Sequence, residues 1–102
     1  MQSVLTPISN SILTIESSAV RELNDSLANA LDSLRSEGTI SNDAYLDAGA
    51  IQGAFEMIAH LIDMGVSQKE IHSQLRQQLD RARNIELKHP GLNDAIEQGR
   101  AS

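Results

Sequence analysis

From residue 18 onward the apolar residues recur every three or four positions, the spacing that lines one face of an α-helix. Four helices follow from that spacing. The first, α1, is expected over about 18–36, with Val20, Leu23, Leu27, Ala30, Leu31 and Leu34 in a narrow apolar stripe and Glu22, Asp25 and Asp32 on its back. Gly38 stands just past its end, where a left-handed residue commonly closes a helix. The second, α2, is expected over 42–64. Ser41 is a side-chain cap for its first turn, Ile40 and Tyr45 are placed as a hydrophobic staple around it, and Gly65 closes it. The third, α3, is expected over 68–87. Ser67 and Glu70 form an S-x-x-E capping box, Ile71, Leu75, Leu79, Ala82 and Ile85 give the apolar face, and Pro90-Gly91 stops it. A short α4 over 92–98 would tuck back through Leu92, Ala95 and Ile96. Residues 1–16 fit either a short helix starting at Thr6-Pro7 or an extended arm.

The middle of α2 raises a question. Gly49 and Gly53 sit inside a helix, where each costs about 1 kcal/mol relative to alanine. On a helical wheel α2 carries two apolar stripes rather than one. Ala44, Ala48, Ile51, Phe55, Ile58 and Ile62 form the expected core face. Leu46, Ala50, Gly53, Met57, Leu61 and Met64 form a second stripe on the other side, small in the middle and bulky at its ends. A helix apolar around most of its circumference is expected to be covered on both sides, and a small-residue centre lets another backbone come close. Three arrangements would provide that cover. A second copy of the chain could pair α2 on α2 about a two-fold axis. The helix could be the centre of a compact monomer, or its second stripe could be a groove for a different protein. The expectation adopted is the homodimer through α2.

Composition narrows the picture. At 102 residues the chain is one domain, large enough for a core but not for a spacious enzyme cleft. One Phe, one Tyr and no Trp leave no aromatic platform for stacking bases of single-stranded nucleic acid. The absence of cysteine removes disulfides, thiolate metal sites and cysteine nucleophiles, and it fits a reducing compartment, so a cytoplasmic location is expected. The N-terminus does not read as a secretory signal. No apolar run is long enough to span a bilayer.

The net charge of −6 is unevenly distributed. Residues 1–66 hold nine acids and two bases; residues 67–102 hold five acids and six bases. Such asymmetry suits self-complementary pairing or a basic partner, and it disfavours non-specific binding to DNA or to an anionic membrane. Two charged surfaces are candidate partner-binding faces. One is Glu22, Asp25 and Asp32 on the back of α1. The other is Lys69, Arg76 and Arg83, spaced by seven along α3, with His72 beside them.

Signatures of chemistry are sparse. Glu56, His60 and Asp63 share one side of α2 but lack the spacing of a known metal motif. No serine lies in G-x-S-x-G and no phosphate-cradling loop is present. No enzyme activity, cofactor, metal or small-molecule substrate is therefore expected. The stretch "MGVSQKEIHSQL", residues 64–75, resembles the turn of a helix-turn-helix DNA reader, which would aim Gln68, Lys69, His72 and Arg76 at bases and phosphates. Leu61 stands where such motifs carry a small residue.

The sequence therefore reads as an all-α bundle of three main helices and a short C-terminal one, dimerising through the second. The expected function is that of a small acidic protein-binding module. It would be an adaptor, chaperone or inhibitor of a partner protein, in the manner of phage or plasmid inhibitors of nucleic-acid-binding machines. The alternative is a DNA-binding regulator that reads through α3.

Overall fold

The computed structural model describes Met1 and residues 14–101, with side chains up to Gly99. The expectations for a short helix or an arm at Thr6-Pro7 lie outside the described residues. Among those described there are four helices and no strand: α1 (Ser17–Ser36), α2 (Asn42–Asp63), α3 (Gln68–Lys88) and α4 (Leu92–Ala101).

Local chemistry sets these boundaries. Ser41 caps α2 by accepting a hydrogen bond from the Ala44 amide, and Ser67 caps α3 by accepting from Glu70. Each satisfies an amide that the helix itself leaves without a partner. The reciprocal arm of the expected capping box is redirected, since the Glu70 carboxylate accepts from Gln74 one turn on. Gly38 and Gly65 take φ of 74° and 84°, which an L side chain rarely adopts, and so turn the chain out of α1 and α2. The amides of Gly91 and Asn93 at the start of α4 donate to the Glu86 carboxylate.

The start of α1 falls where the spacing places it, and the end of α4 lies beyond expectation. Glu16 is extended (φ −95°, ψ 148°), so α1 begins at Ser17 and does not run on from the preceding residues. Residue Ile15 is held instead by Gln68, whose side-chain oxygen accepts from the Ile15 amide at 2.8 Å while its amide nitrogen donates to the Ile15 carbonyl at 3.1 Å. At the other end α4 continues three residues past Gln98. Gly99 is tolerated inside it because that side lies against α1, where a Cβ would stand 3.5 Å from Ala30 Cβ.

Helix α2 is the spine. It packs along α1 on one side and α3 on the other, while α4 packs against α1. Ala44, Ala48, Ile51, Phe55, Ile58 and Ala59 of α2 are buried against Val20, Leu27 and Leu31 of α1, Ile71 and Leu75 of α3 and Ile96 of α4 in one continuous core. Ile62 is only half-buried, and Ala59 takes its place in the fully covered set.

Candidate protein interface

The second stripe of α2 lies opposite this core, and none of the described residues packs over it. Leu46, Met57 and Met64 are 68%, 58% and 66% exposed. Ala50 and Gly53 between them are exposed, and Leu61 is half-buried at the α3 side. A compact monomer in which the N-terminal arm and α4 cover this face turns in part on residues outside those described; α4 itself packs against α1. Among the described residues a Cβ built on Gly49 or Gly53 meets no atom within 4 Å, and neither glycine has a positive φ. No close backbone approach to them occurs among the described residues.

Polar residues at both margins are fixed to neighbouring helices, which holds the apolar row in place. Along the α1 margin Arg21 pairs with Asp63 at 2.7 Å, Asn24 donates to Glu56 at 2.9 Å, and the Tyr45 hydroxyl donates to Asp32 at 2.7 Å. The Arg35 guanidinium lies over the Tyr45 ring and donates to Asn42. Hydrogen bonds from Ser17 and then Arg21 hold the Asp63 carboxyl below its ordinary pKa, and the bond to Asp32 raises that of the Tyr45 phenol. Along the α3 margin Asp47 receives both His89 at 2.8 Å and Lys88 at 3.0 Å, and Arg81 reaches the Ala50 carbonyl at 3.5 Å. The bonds from His89 and then Lys88 lower the Asp47 pKa, and the same contact raises that of Lys88.

The other candidates fall into place around this face. Of the acidic back of α1, Glu22 and Asp25 line an open cleft of about 540 Å³ against Gly99 of α4. Asp32 belongs to the α1–α2 seam instead, through Tyr45. Lys69, Arg76 and Arg83 are exposed on α3, and Arg83 is paired with Asp80 on its own helix. On α2, Glu56 accepts from Asn24 and Asp63 pairs with Arg21, both of α1, while His60 stands close enough to Asp63 to act on its carboxylate. No group of three potential metal ligands occurs among the described residues. None of the described helices is long and apolar enough to cross a membrane.

Several features were not read from the sequence. Leu87, 80% exposed, was passed over. Asn24 and Gln78 are buried polar residues whose side-chain oxygens find no hydrogen-bond partner among the described residues. A second open cleft, about 510 Å³, lies between Ile40, Ser41, His89 and Leu92.

No protein-family model matches the chain, and no curated protein or solved structure is similar enough to it to count as a match.

Proposed function

We propose that this chain is a small acidic protein-binding module that docks an apolar helix of another polypeptide on the outward face of α2. The observation behind this reading is the row Leu46, Ala50, Gly53, Met57 and Met64, which leaves three large apolar side chains in solvent on one rigid helix. A contiguous apolar strip rimmed by polar residues is the usual mark of an interaction surface. Methionine suits such a surface because its flexible thioether adapts to different partners. The two glycines then have a purpose, since they let the partner's backbone approach where a methyl group would hold it off. A partner bound in this way would make the chain an adaptor, chaperone or inhibitor.

The DNA-reading alternative has the exposed Lys69 and Arg76 of α3 in its favour. Against it stand the overall acidity and the pairing of Arg83 with Asp80. The test uses wild-type and Met57→Lys chains as baits in extract from the producing cells. A polypeptide held by the wild type and lost from Met57→Lys, with helicity unchanged by circular dichroism, supports the reading. Equal recovery on both baits overturns it.

A further inference from the structure

We infer that the occupant of the α2 face is a second copy of this chain, packed antiparallel about a two-fold axis that passes between Ala50 and Gly53. This rests on the docking reading above and names its partner. Two observations carry it.

The first is shape. An antiparallel pairing centred there sets Ala50 against Gly53 of the second copy, small on small. It also sets Leu46 against Met57 of the second copy, bulky on bulky, on both sides of the axis. Further out, Met64 reaches the level of the half-buried Ile40 in the loop before α2. Isologous contact requires a surface complementary to itself, and the order bulky–small–small–bulky along α2 meets that requirement in the antiparallel sense.

The second is area. Leu46, Met57 and Met64 are each more than half exposed, and with Ala50, Gly53 and Leu61 they offer roughly 400–500 Å² per copy. Two copies would bury on the order of 1,000 Å², the size at which specific interfaces begin. The α1 and α3 margins add to that.

The chain contains no cysteine, so introduced thiols report on neighbours without interference. Leu46→Cys and Met57→Cys change exposed positions, and circular dichroism would confirm that both fold. Light scattering from micromolar to hundreds of micromolar gives the mass, and mild oxidation then traps thiols that meet across the pair. The expected result is a dimer in which an equimolar mixture of the two variants cross-links severalfold more than either alone. A dimer in which Met57→Cys cross-links with itself as readily as in the mixture has parallel helices and overturns the inference. A dimer that traps in no combination does not use α2, and it overturns the docking reading as well. A monomer at every concentration overturns the second copy as occupant but leaves the docking reading to the Met57→Lys baits.

Discussion

Gly53→Ala should have opposite effects on the folding of the single chain and on its assembly. Gly53 lies in the middle of a 22-residue helix with ordinary helical φ, and a Cβ there meets nothing within 4 Å. Within the monomer no steric penalty opposes the gain in helix propensity, which is about 0.8–1 kcal/mol. For a chain of this length that gain corresponds to a rise in Tm of roughly 4–6 °C. In the antiparallel pair inferred above the same methyl group would stand between two backbones, so the dissociation constant should rise. A loss of about 1.4 kcal/mol in the contact is a tenfold rise. Urea denaturation followed by circular dichroism at low micromolar protein measures the first effect, and light scattering over a concentration series measures the second. A lower urea midpoint for Gly53→Ala in the dilute, monomeric sample would refute the reasoning, because it would require a close neighbour within the chain. A higher midpoint together with unchanged association would show that the glycine faces solvent in every state.

Two further outcomes follow from the core and from the ion pairs. Phe55→Ala removes a fully buried ring on the inner face of α2 and should lower stability by about 3–5 kcal/mol in urea titration, enough to unfold a marginal domain of this size. Asp47 and Asp63 both have folded pKa values below the ordinary 3.8. As pH falls through that value the unfolded chain takes up protons first, so the stability present above about pH 4 is lost as pH drops towards the folded values. Urea midpoints at pH 6 and pH 3.5 should show a fall that is smaller in the Asp47→Asn/Asp63→Asn variant.

What the sequence could reveal depended on distance along the chain. Helix limits rest on neighbours three or four residues apart, and Ser41, Ser67, Gly38 and Gly65 mark theirs by chemistry acting within one turn. The two stripes of α2 were legible for the same reason, since periodicity is a local property. Whether the outer stripe is covered was not legible, because that depends on how far α1 and α3 reach around α2. How α1 and α3 flank the stripe is set by contacts between residues far apart in sequence. Asn24 meets Glu56, and His89 meets Asp47 forty-two positions away. Asp32, read as part of a free acidic face, is drawn into the α1–α2 seam by a tyrosine on the next helix. The extension of α4 past Gln98 was missed for a related reason. A glycine weakens a helix locally, and the packing of α4 on α1 beside Ala30 is not visible in the local pattern.

The grip of Gln68 on both backbone groups of Ile15 has a consequence for how the fold opens. These are hydrogen bonds made by the backbone outside any helix, and they tie the entry to α1 to the first turn of α3, fifty-three residues on. Ordinarily an amide outside regular structure exchanges its proton with water almost freely. Here the Ile15 amide is released only when the α3 N-terminus lifts or the lead-in to α1 swings away. Its exchange rate therefore reports the separation of two segments distant in sequence, and these segments loosen as one cooperative unit rather than fraying independently.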